Sequence, residues 1–400
     1  MAKKRANGEG TIRKRKDGRW EARYTDINEI NPNKKRKYIY AKTQKDLIVK
    51  LQMALSEMHH QNTLPPESLM TVEQWFREWI SVYGVIAYRN TTYSCYNMMI
   101  NAYIVPSIGK IKLCNLKTID IQMMFNNLFF KKIKKNGKIG LAPASLAKPK
   151  NLISKAFMQA KVNGFILSNP IDGLVLPSAE TKDIRIFNKE DLILLNEAIS
   201  GHSIEWLIKF MLLTGARIGE ALALKIDDID FINKKLKINK TVSYVPDKST
   251  NQFGFCTNEP KTKSGFRDLS LTPVLESLLN IQIKNNDASK NNNKNRWEEN
   301  HLLFPNAYGG YQSGNKIGKK FTKLQKSSGM SNTKSLHILR HTFATTALNA
   351  GISLPNIAKM IGHKNGEITL RFYGHYLEDD VYNQAVKLAE ALGQFINLKA

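Results

Sequence analysis

The stretches HILRH at 337–341 and GHKNGEITLRFYGHY at 362–376 gather histidine, arginine and tyrosine, side chains that move protons and hold anions. On a helix, His337 and Arg340 are three apart and share a face. Arg217 stands in the apolar run TGARIGEALAL, where a buried guanidinium needs an anion; Glu220, three residues on, could be its structural partner. Lys263 falls in KTKSGFRD, with Lys261 two positions earlier as a rival. His337 and His341 have the spacing of a helical zinc pair. Ile338 occupies the metalloprotease glutamate position, however, and Arg340 would set a fixed cation beside the metal, so no metal site is expected. The chain has no G-x-x-x-x-G-K-[ST] loop, no G-x-G-x-x-G after a strand and no evident carboxylate trio for magnesium. What remains is a set of cations and proton carriers: Arg217, Lys263, His337, Arg340, His363 and Tyr373. Taken alone, the 362–376 segment fits a half-buried structural turn better than a reactive one.

A chain of 400 residues can supply two or three domains to position such a set. Its 60 Lys+Arg against 34 Asp+Glu give a net charge of +26, a balance suited to a polyanion, nucleic acid before an anionic membrane surface. No apolar run approaches the roughly 18 residues of a membrane span, so a cytoplasmic, nucleoid-associated protein is expected. Cys95, Cys114 and Cys256 are odd in number and far apart, which fits small core residues and neither disulfides nor zinc.

Three stretches differ in character. Residues 1–65 form a basic module, with 16 Lys/Arg and 6 Asp/Glu in the first 50. GTIRKRKDGRWEARYT predicts two strands about a Lys-Asp-Gly turn, KKRKYIYAKT a third strand, and TQKDLIVKLQMALSEM a helix capped by Thr43. A sheet backed by a helix can lie in a DNA groove, with Arg13, Arg15, Arg19, Trp20 and Arg23 as candidate contacts. Residues 68–176 read as a helical domain with Lys-rich edges, its helices ending at Gly84, Gly109 and Gly164. Residues 185–400 read as mixed α+β: helices over NKEDLILLNEAI, EWLIKFMLLTG and TPVLESLLNIQI, strands in DFINKKLKINKTV, and a hairpin turning at Ser264-Gly265. NNDASKNNNKNRW is expected to be a surface loop, and NQAVKLAEALGQFINLKA an amphipathic helix for the core or for a neighbouring subunit.

TGARIGEALAL, HILRHTFATTALNAG and IGHKNGEITLRFYGHY, in this order and spacing, resemble the three signature boxes of the tyrosine recombinases, the lambda-integrase or phage integrase family. With the basic module in front, the chain is similar to integrases of conjugative transposons. The resemblance implies a multidomain, mainly α protein: an arm-type DNA-binding module, a SAM-like core-binding domain and a catalytic domain. It implies Arg217 and Arg340 as phosphate-clamping arginines, Lys263 as the hairpin lysine, His337 and His363 as supporting groups, and Tyr373 as nucleophile, with Tyr376 a rival. It also implies double-stranded DNA with core-type and arm-type sites as partner, a homotetramer on that DNA, an excisionase or host DNA-bending protein beside it, and no cofactor. The chemistry agrees, because two guanidinium forks suit the charged oxygens of a five-coordinate phosphorus. A type IB topoisomerase, which shares the chemistry, and a catalytically inactive DNA-binding regulator are the alternatives.

Overall fold

Alternating apolar and charged residues build the first sheet. In this computed structural model, which describes residues 10–25, 36–62, 66–131, 137, 139–178, 186–260, 262–330 and 333–363, the chain divides into two units, Met1–Thr181 and Lys182–Ala400. In the first unit β1 (Thr11–Lys14), β2 (Trp20–Thr25) and β3 (Arg36–Ala41) pair antiparallel in that order. The register sets Arg13 opposite Glu21 and Ala22 opposite Ile39. Period two therefore puts Ile12, Trp20, Ala22, Tyr24 and Ile39 on one face, packed on α1 (Gln44–Asn62) through buried Leu47 and Leu51. Thr43 caps that helix, its Oγ1 accepting from the Asp46 N–H at 3.1 Å.

The longer helices that follow are α2 (Val72–Trp79), α3 (Asn90–Met99), which runs on through a π turn, Ile100–Ile104, as far as Ile108, α4 (Thr118–Phe130) and α5 (Pro143–Val162). α2 opens with a reciprocal cap between Thr71 and Gln74. Trp75, Phe76, Phe125 and Phe157 fill the core, Phe76 and Phe157 meeting edge to face at 5.4 Å. Helices end at Gly109 and by Gly164, but Gly84 does not end one. It stays helical inside a π turn, Ile80–Gly84, and the chain coils on to Ala87. A Cβ on Gly84 would come within 2.6 Å of Ile80 Cδ1, so here glycine makes room for a packed side chain.

The second unit starts with α6 (Lys189–Ile199), capped reciprocally by Asn188 and Asp191, then α7 (Glu205–Thr214) and the single turn α8 (Ile218–Ala221). Strands β4 (Ile229–Asp230), β5 (Lys235–Ile238), β6 (Thr241–Pro246), β7 (Phe253–Asn258) and β8 (Arg267–Ser270) come next. They form a sheet ordered β4-β5-β8 and a separate β6-β7 ribbon. α9 (Pro273–Asn292), α10 (Gly314–Ser327), α11 (His337–Asn349) and α12 (Leu354–Ile361) complete the described part. Leu207, Phe210, Leu236, Leu269, Phe321 and Leu339 share one core.

Two expectations fail here. Ser264-Gly265 lies in a 3-10 turn, Lys263–Gly265, and is not the tip of a two-strand hairpin. β7 pairs with β6, while β8 crosses to β5, where Leu269 sits opposite Leu236 in the core. The asparagine-rich stretch, expected as loop, is helical to Asn292. Buried Asn286 explains it: its Nδ2 donates to the carbonyls of Leu302 and Leu303, and that tertiary anchoring overrides a poor helix propensity.

Candidate active site

α7 ends at Gly215, whose left-handed backbone (φ 62°) turns the chain sharply. A Cβ there would fall 2.6 Å from the Phe343 ring, so only glycine admits the close packing of α7 on α11. The turn delivers Arg217 just before α8. Its backbone N–H and Nη1 both donate to Glu220, at 3.0 and 2.7 Å, so the carboxylate aims the guanidinium. Arg340 projects from α11 with 1% of its surface exposed and donates through Nη1 to the Gly215 carbonyl at 2.9 Å. His337 lies one turn earlier on the same helix. Arg217, His337 and Arg340, with Met211 and Thr241, line one cavity of about 300 Å³.

α12 ends at Gly362, also left-handed, and the next residue is His363, its backbone bonded to Ala358 O at 2.9 Å. Arg217 Nη2 reaches toward the Gly362 carbonyl at 3.5 Å, which ties this turn to the first arginine. Lys263 is exposed at the start of its 3-10 turn, and its neighbour Ser264 borders Gly362: a Cβ on that glycine would meet Ser264 O at 2.7 Å. Tyr373, its rival Tyr376, Lys261 and the amphipathic terminal segment lie outside the described residues.

The electrostatics are those of an anion site. Burial and then the Arg340 and Arg217 charges push His337 below the ordinary histidine value, and the same causes hold His363 at about 4. His341, edge-on to His337 with centroids 4.8 Å apart, is also lowered to about 4 by burial, His337 and Arg340. All three imidazoles are therefore neutral near pH 7. Burial raises the Glu220 carboxyl, but Arg267 and Arg217 outweigh it and leave the group below its ordinary value. Arg267 escaped the sequence reading. Its only signal was an arginine on the inward face of an alternating strand, two residues before Leu269.

Of the candidate DNA contacts, Arg13 and Arg15 are held by the carboxylate of buried Glu21, at 2.8 and 2.9 Å. Arg19 pairs with Asp17, and Arg15 and Arg19 lie over the Tyr40 ring. Arg23 shares the open face with Tyr38 and Tyr40. Trp20 is on the opposite face, against the core, because its register partner Ala41 points toward α1.

Residues 186–379 match the phage integrase family model and 71–129 the N-terminal SAM-like domain of phage integrases, together more than half of the chain. A XerC-like tyrosine recombinase of Caldanaerobacter subterraneus is 26% identical over 86% of this chain and 88% of its own length. The transposase from transposon Tn916 of Enterococcus faecalis is 25% identical over 71% of this chain and 68% of its own. Among solved structures, a Tn1549 transposon integrase fragment bound to a circular-intermediate DNA aligns with a TM-score of 0.65 at 21% identity, over 80% of this chain and 99% of that one. A lambda integrase dimer bound to a core site aligns at 0.58 and 17% identity, over 92% of this chain and 96% of that one. The fold is thus that of the tyrosine recombinases. The chain belongs to the phage integrase family.

Proposed function

We propose that the chain is a site-specific DNA recombinase that cleaves and rejoins DNA through a 3′-phosphotyrosine at Tyr373, integrating and excising a mobile element of the conjugative-transposon kind. The observation that carries this reading is the gathering of Arg217, His337 and Arg340 about one cavity. Both arginines also lie near enough to His363 to depress its pKa.

The reaction follows from those groups. The Tyr373 hydroxyl attacks the scissile phosphorus; its oxygen forms the new P–O bond and its proton passes to neutral His337. Arg217 and Arg340 meet the charge on the non-bridging oxygens as the phosphorus becomes five-coordinate, and their fixed forks need no reorganisation at that moment. His363 donates a hydrogen bond to a phosphate oxygen. The 5′ oxygen leaves with a proton from Lys263. Rejoining is the same path reversed with a different 5′ hydroxyl, so the phosphotyrosine conserves the bond energy and the reaction uses no ATP. An arriving phosphodiester also offsets the arginine charges and raises the histidines' affinity for protons.

In this reading residues 1–65 grip arm-type sites, 68–176 hold the core site, and 185–400 carry the chemistry. Lambda integrase has been solved as a tetramer on a Holliday junction, which supports assembly of this chain as a homotetramer on double-stranded DNA. Incubation of the full chain with a nicked suicide substrate built from the element's own ends tests the proposal. A covalent adduct whose DNA-linked peptide maps to Tyr373 is expected. A chain that binds this DNA yet forms no adduct is a regulator and not a recombinase.

A further inference from the structure

We propose that Arg267 is a positioning residue that locks three catalytic segments in register, an inference that rests on the recombinase reading above. It sits on β8 with 4% of its side chain exposed, and its three guanidinium nitrogens point at three different elements. Nη2 donates to Glu220 Oε2 at 2.8 Å, Nε to the Met360 carbonyl at 2.8 Å, and Nη1 to the Gly265 carbonyl at 3.4 Å.

Each acceptor belongs to a segment that carries one member of the proposed catalytic set. Glu220 holds the Arg217 guanidinium through Oε1 at 2.7 Å, while Oε2 accepts from both Arg267 and the Arg217 backbone N–H. Met360 lies in the last turn of α12, three residues before His363. Gly265 closes the turn that Lys263 opens. The junction has no slack: a Cβ on Gly362 would stand 3.1 Å from Arg267 Nη1 and 2.7 Å from Ser264 O.

A buried guanidinium is poor evidence for stability alone, since desolvation offsets much of the ion-pair gain. What it provides is geometry. Three rigidly diverging N–H vectors fix three partners at once, whereas a lysine ammonium on a flexible stem holds them only loosely. Arg267 reaches no cavity of the proposed site directly and acts through Glu220 and the two turns.

The test compares single-turnover cleavage of a suicide core site by the full chain and by Arg267→Lys, beside DNA affinity and thermal unfolding. Two substrates are used: the ordinary phosphodiester, and one with a methylphosphonate at the scissile position, which lacks the non-bridging charge that Arg217 meets. For Arg267→Lys, cleavage of the phosphodiester is expected to fall on the order of 100-fold while DNA affinity is retained. On the methylphosphonate the deficit is expected to shrink by roughly tenfold, because a misplaced Arg217 matters less without that charge. If the lysine variant unfolds, Arg267→Gln, which keeps a donor without the charge, is compared in the same way. An equal deficit on both substrates, or undiminished cleavage, overturns the positioning role. Failure of the unaltered chain to form any adduct overturns the recombinase reading instead, and this one with it.

Discussion

Arg340 is almost wholly enclosed yet charged, and its enclosure determines what a substitution there does. Arg217→Lys or Arg340→Lys keeps the charge and loses the fork, so single-turnover cleavage is expected to drop on the order of 100-fold or more with core-site binding largely retained. Gel-shift and adduct assays on the same preparations separate the two effects, and ordinary turnover in either variant would make that arginine structural. The tyrosines are distinguished in the same assay. Tyr373→Phe removes one oxygen and is expected to abolish the adduct, while Tyr376→Phe is expected to retain it. Tyr373 follows His363 by ten residues, the spacing of the family's third box, and Tyr376 lies nearly a helical turn further if the segment is helical.

At the scale of elements, the two left-handed glycines close the helices that deliver the site. Gly215→Ala forces a Cβ into a left-handed residue, at a cost of about 1–2 kcal/mol before the clash with Phe343 is added. Its denaturation midpoint is expected to fall, and cleavage with it, because the same residue's carbonyl anchors Arg340. A pH dependence belongs to α11 and the turn after α12. His341 and His363 protonate at about 4 when folded against 6.5 as free side chains, so the unfolded chain binds more protons between those values. Stability therefore rises with pH across that window and is lost progressively on acidification from 6.5 toward 4. Melting curves of the DNA-free protein at pH 7 and pH 5 are expected to show that loss, with a flatter response in His341→Gln. An identical slope in the variant would remove His341 from the account.

At the scale of the molecule, the proposed catalytic residues all lie in the unit Lys182–Ala400, while the basic sheet lies in Met1–Thr181. Deleting the first 65 residues is thus expected to leave core-site cleavage intact and to abolish binding to a second, distant class of site. Footprinting of a full attachment site by both proteins checks this, and equal recombination by the truncated chain would show that the module is no DNA-binding arm. Excess EDTA is expected to leave cleavage unchanged, since guanidinium groups supply the positive charge in the proposed mechanism. Loss of activity restored by zinc would revive the His337/His341 pair as ligands.

Local chemistry was legible in the sequence because it acts over a few residues. The cap at Thr43, the shared helical face of His337 and Arg340, and the three-stranded basic sheet follow from side-chain reach and from periods of 3.6 and 2. Contacts across the fold were not legible. Nothing near Asn286 says that the carbonyls of Leu302 and Leu303 will hold its helix together, and composition alone argued for loop. The partner of β8 depended on which strand buried Leu269, and the face taken by Trp20 on a register that only the assembled sheet defines. Arg267 is the extreme case, its acceptors lying 47 and 93 residues away in Glu220 and Met360. The sequence by itself determined the residue types and local frames of the candidate site. Tertiary structure decided which buried charges meet, because desolvation makes such a charge find its partner wherever the fold brings one within reach.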